Sequence, residues 1–155
     1  MIQRIQSIYL LAASLVIFAL YLFPIAHGIY IDAIPSTIKV TGIYQDVNGA
    51  QKLTTPFTTL SIVTAIVGLI PIVLIFLYKN RKQQMTLCYI AMLAVIGYSF
   101  WLSQVVQQAT GGFTMTTSNF GIGVFLSSLS IVLILLAAKS IQKDEKLIKS
   151  ADRLR

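Results

Sequence analysis

The sequence predicts an all-α membrane protein: a four transmembrane helix bundle with a small extracytoplasmic β-hairpin and a cytoplasmic amphipathic C-terminal helix. Three observations predict it. From Gln83 to Ala138 no side chain is charged. As a single helix rising about 1.5 Å per residue, that stretch would run to roughly 80 Å against a hydrocarbon core of about 30 Å, so it must turn round. The turn lies at Thr110-Gly111-Gly112 through Thr116-Thr117-Ser118-Asn119, polar and glycine-bearing between two apolar blocks. Composition is the second observation: 56% of the 155 residues are hydrophobic and 11% are charged, and the mean hydropathy is +0.80. Soluble domains carry about 25% charged residues. The third is where the net charge of +7 sits. Ten of the twelve Lys and Arg flank apolar segments: Arg4, then Lys79, Arg81 and Lys82, then the tail from Lys139 to Arg155. Basic residues in such flanks set membrane orientation, so the charge excludes a nucleic-acid partner and reads as topology.

One domain, residues 1–155, is expected, with spans at about 5–26, 57–78, 85–108 and 119–139, an outer loop at 27–56 and a cytoplasmic tail at 140–155. Met1 to Ser7 leads into the first span, and Pro24 suits a kink or stop near its outer end. Its thin basic region, its long apolar run and the lack of a small-x-small site argue for a retained span rather than a leader. In the outer loop, Thr37 to Thr41 alternates apolar and polar residues. Ile43, Gln45 and Val47 then run toward Asn48-Gly49, a dipeptide that favours a type I′ turn, with Ala50 to Thr54 as the return strand. That is the expected hairpin. Pro56 opens the second span and Pro71 should bend it. Ser61, Ala65 and Gly68, beside Thr64, offer a small-residue face for close helix packing, within the bundle before between copies. Lys79 to Gln84 forms a tight basic turn. The third span ends in Gln104, Gln107 and Gln108, and the fourth opens with Gly121, Gly123, Ser127, Ser128 and Ser130. In the tail, Leu147, Ile148, Ala151 and Leu154 recur at helical spacing, and Glu145 with Lys149 forms an i, i+4 pair. The outer loops hold only Lys39 and Lys52, offset by Asp32 and Asp46, which places both termini in the cytoplasm.

Little in the chain supports chemistry. No ionisable residue falls inside a predicted span, which argues against transport driven by an intramembrane carboxylate. His27 is the sole histidine, so neither a two-histidine haem nor a zinc site can be assembled, and Asp32 beside it is a weak metal signal. Cys88, the sole cysteine, can form no intrachain disulfide and reads as a small buried hydrophobe. No phosphate loop, Ser-His-Asp set or HExxH motif is present. Tyr9, Tyr21, Tyr78, Tyr89, Tyr98 and Trp101 fit bundle cores and interfacial belts. No catalytic, cofactor-binding or metal residues are assigned, and no cofactor is expected.

Three stretches carry a resemblance: Met1-Ile-Gln-Arg-Ile-Gln6, Ile75-Phe-Leu-Tyr-Lys-Asn-Arg-Lys-Gln83, and Lys143-Asp-Glu-Lys-Leu-Ile-Lys-Ser-Ala-Asp-Arg-Leu-Arg155. In this order they resemble a family of small four-span membrane proteins from Bacteroidota, catalogued only as a domain of unknown function. The resemblance implies inner-membrane placement and supplies no activity. It also implies that the family is marked on its cytoplasmic face, here by Arg4, Lys79, Asn80, Arg81, Lys82, Asp144, Glu145, Asp152, Arg153 and Arg155. These residues, Asn80 aside, form the candidate docking set. Asp144, Glu145 and Asp152 are the inner acids, expected to pair with Arg4 or with Lys79, Arg81 and Lys82 and fold the tail beneath the bundle. The reading that follows is a non-enzymatic integral inner-membrane protein, an accessory, assembly or scaffold subunit that docks partners through its basic cytoplasmic face. Its partners would be the lipid bilayer and either membrane-complex subunits or a second copy. The alternative is a protein binding or transporting a small ligand, a lipid or quinone, through the bundle.

Overall fold

The computed structural model describes residues 3–31, 34–47, 50–77, 80–111 and 117–152. The chain order is α1 (Gln3–Ala19), β1 (Ala26–Ile31), β2 (Ile34–Lys39), β3 (Gly42–Val47), β4 (Ala50–Pro56), α2 (Thr58–Phe76), α3 (Arg81–Ala109), a short 3₁₀ turn (Thr117–Asn119) and α4 (Gly123–Asp152). The architecture is therefore not all-α with one hairpin. Four helices carry a four-stranded antiparallel sheet on one end, in the order β1-β2-β3-β4. The expected hairpin is its second half: β3 pairs with β4 from Gly42↔Pro56 to Val47↔Ala50. The Asn48-Gly49 turn itself lies outside the described residues.

The expectation of four spans is corrected too. Three helices are long and apolar enough to cross a membrane, Thr58–Phe76, Lys82–Ala109 and Gly123–Leu147. The helix α1 has 17 residues, about 25 Å at 1.5 Å per residue, and is the shorter apolar helix of the four. The first span was expected to run to residue 26, but the helix ends at Ala19. Pro24 has no N–H to continue a helix and biases the residue before it away from helical geometry. The chain closes with turn bonds, Tyr21 N–H to Phe18 O at 3.1 Å and Phe23 N–H to Ala19 O at 3.0 Å. It then leaves as a strand because its backbone has partners there. Pro24 O accepts from Gly123 N–H at 2.9 Å, Ile25 O from Gly121 N–H at 2.8 Å, and Ala26 bridges Phe120. That bridge covers the β1 edge of the sheet. Gly121 and Gly123 permit it: a Cβ on them would lie 2.2 Å and 2.8 Å from Pro24 O.

The β2–β3 turn falls at Val40-Thr41, where the sequence reading had one continuous strand. Gly42 makes the reversal with φ +150°, and a Cβ there would sit 2.3 Å from Thr55 O. Residues Ile25, Ala26, Ile29, Ile38 and Val40 join the core shared with the helices. Phe57 N–H to Thr41 O at 2.9 Å and Ser61 Oγ to Val40 O at 3.2 Å tie the sheet to α2. The outermost strand, β4, is exposed along its whole length.

Within the bundle α1 lies against both α4 and α2, and α3 lies more extensively on α4 than on α2. Every helix pairs a buried stripe with an exposed aliphatic one: Ile8, Leu11 and Leu15 on α1, Ile66, Leu69 and Val73 on α2, Ile90, Leu93 and Phe100 on α3, and Phe125, Leu129 and Val132 on α4. Such faces are at home against lipid tails. Buried hydroxyls in the bundle are matched to carbonyls or to each other. Ser14 Oγ donates to Gly68 O at 2.7 Å, Ser130 Oγ to Ala13 O at 3.3 Å, and the Thr64 and Tyr98 hydroxyls share a bond of 2.7 Å. The small face of α2 is thus used within the bundle, with Gly68 against the Phe18 ring. Finally, α4 is one helix of 30 residues, so the fourth helix extends into the tail as expected.

Candidate functional site

The end of the bundle opposite the sheet is built from the start of α1, the α2–α3 turn and the second half of α4. Asn80 caps α3: its Oδ1 accepts from Gln83 N–H at 3.3 Å and its Nδ2 donates to Gln83 Oε1 at 3.3 Å. This satisfies an amide that the helix start leaves orphaned. Gln84, buried, reaches back from α3 and donates through Nε2 to Leu74 O at 2.8 Å, holding the last turn of α2. Gln84 thereby ties the start of α3 to the end of α2, and Lys82 is exposed.

On α4 the stripe Ser127, Ser130, Ile134, Ala137, Ile141 is buried against its neighbours, and Asp144 continues it, only 5% exposed. Gln6 of α1, also 5% exposed, donates its Nε2 to Asp144 Oδ2. The other carboxylate oxygen, Oδ1, is buried without a hydrogen-bond partner. A buried carboxylate with half its acceptor capacity unused is costly, and it is the one such group among the described residues.

Three of the candidate docking residues have described side chains. Asp144 turns into the α1–α4 seam rather than toward the inner face, Lys82 is exposed and Glu145 is half-buried. Arg4, Arg81 and Asp152 sit on described helices, but their side chains, and all of Lys79, Arg153 and Arg155, lie outside the described residues. The helix α4 runs unbroken to Asp152, so the tail continues the fourth helix. Sequence reasoning missed Gln6 and the burial of Asp144. The signal was present: Asp144 falls three residues after Ile141, in phase with the small and aliphatic stripe of α4. The exposed Lys139, Lys143 and Lys146 line a different face of the same helix.

Among the described residues no group of three or more His, Cys, Asp or Glu is placed to hold a metal ion. Cys88 is buried, as its place in an apolar segment suggested. No curated protein and no solved structure matches the chain. A family model does, over residues 2–154, and its description is a domain of unknown function (DUF4293). The chain therefore belongs to that family, DUF4293.

Proposed function

We propose that the protein is a non-enzymatic scaffold or accessory subunit of a bacterial inner membrane, docking a partner through its basic cytoplasmic end. The observation that carries this reading is how the bundle uses its polar groups. The region between the Pro71 side of α2 and the serine-bearing half of α4 is where a lipid or quinone carrier would keep its ligand. Here α1 fills it. Ser14 binds Gly68 O, Phe18 packs on Gly68, and Ser130 binds Ala13 O. The Ser14 and Ser130 hydroxyls are used in helix–helix contacts, Ser127 Oγ donates to Val124 O within α4, and the exposed cations Lys82, Lys139, Lys143 and Lys146 collect at the end away from the sheet. By the positive-inside rule that end faces the cytoplasm and the sheet faces outward.

The test is affinity capture from native membranes in a gentle detergent, comparing the wild type with an Arg81→Glu, Lys82→Glu variant. Both positions lie at the start of α3, clear of the α1–α4 seam, so the fold is kept. The expected result is a set of membrane-complex subunits that co-purify with the wild type and are lost from the variant. Recovery of the wild-type chain alone, carrying a stoichiometric lipid or quinone, would overturn the reading.

A further inference from the structure

We propose that Lys139, Lys143 and Lys146 form a ladder on α4 that binds the headgroups of anionic phospholipids. Phe125, Leu129, Val132 and Leu136 are exposed aliphatic or aromatic residues at alternating spacings of four and three, the stripe that α4 turns toward lipid tails. The same alternation carried onward lands on 139, 143 and 146, and all three lysines are exposed. Since α4 is unbroken from Gly123 to Asp152, the stripe keeps its direction as it leaves the hydrocarbon. Lys139 comes one turn past Leu136, about 4.5 Å further along the axis, and Lys146 about 10 Å beyond that. The headgroup layer is about 5–8 Å deep on each side, a step that Lys139 and Lys143 span on the helix and that Lys146 reaches back to with its long stem.

Topology alone does not account for this placement. The positive-inside rule asks for cations in the inner flank at any angle, whereas these three share the one face that looks into the bilayer. The acids of the same segment are rotated away. Asp144, about 100° from Lys143, is buried against Gln6, and Glu145, about 200° from it, is half-buried. The ladder thus faces the membrane un-neutralised by the acids beside it. Lysine stems lie along the helix surface while the ammonium groups reach the phosphates, which favours a lipid bearing a net negative charge over a zwitterionic one.

Electron spin resonance of the full chain in phosphatidylcholine bilayers, doped with spin-labelled phosphatidylglycerol or spin-labelled phosphatidylcholine, measures the preference directly. The immobilised lipid shell should favour phosphatidylglycerol by about fivefold or more, the effect of one lysine near an anionic surface at 1 kcal/mol. The preference should collapse in a Lys139→Gln, Lys143→Gln, Lys146→Gln variant, fall in part in Lys143→Gln alone, and persist in Lys82→Gln. Inorganic phosphate at constant ionic strength should leave it unchanged. Equal retention of the two lipids by the wild type would overturn the proposal. So would a preference that survives the triple substitution, or one abolished by inorganic phosphate, which would mark a free-phosphate site instead.

Discussion

Gly121 shows how one missing side chain organises a junction. Its N–H reaches Ile25 O at 2.8 Å, and a Cβ would come within 2.2 Å of Pro24 O, a backbone atom with little room to yield. The turn after α1 and the approach to α4 can touch only because nothing projects between them. Gly121→Ala should therefore lower stability by about 1–3 kcal/mol, the usual cost of forcing atoms into a filled site, read as a fall in thermal midpoint in detergent. Gly97 is the control. Nothing lies within 4 Å of a Cβ there, so Gly97→Ala should be neutral or raise stability by about 0.5–1 kcal/mol through helix propensity. Equal effects at the two positions would mean that the contact with Pro24 does not hold the junction. The sequence marks both glycines as small but does not tell them apart, because the difference is made by a chain segment almost a hundred residues earlier.

Among elements, the three long helices were legible because each is an extended apolar run bounded by polar residues, proline or charge. The first sheet strands were not. An apolar run such as Ile25-Ala26 fits a strand or a helix equally, and period alone cannot choose between them. What decides is non-local: the pairing of Ala26 with Phe120 and with Ile38. The tail was legible as a continuation of the fourth helix, but the burial of its acid was not: Ile141 and Asp144 stay in phase with the stripe above and keep α4 packed on α1. That seam yields a prediction. Gln6→Leu strips a buried carboxylate of its donor and should cost about 1–3 kcal/mol or more, since the group left behind is charged. Asp144→Asn keeps an acceptor for Gln6 and removes the buried charge, so it should match or exceed the wild type in stability. Chemical denaturation in mixed micelles separates the two. A stable Gln6→Leu with an unstable Asp144→Asn would show that the Asp144 charge is balanced by something other than Gln6.

For the whole molecule, the sheet and the lysine-rich half of α4 occupy opposite ends of one bundle, and this separation can be tested without disturbing the fold. Cys88 is the only cysteine and is fully buried, so the native chain should stay silent to an impermeant maleimide and serve as its own background. Thr54 lies on the exposed strand β4, and Lys146 is exposed on α4 some 90 residues later. Between them run α2, α3 and the apolar part of α4, the three helices of membrane-crossing length. An odd number of crossings puts the two positions on opposite sides. In the placement and orientation proposed above, Thr54→Cys should label once the outer membrane is made permeable, and Lys146→Cys only after the inner membrane is opened. Labelling of Lys146→Cys from outside would invert the molecule and bring the cations to the wrong face for both the docking and the lipid proposals.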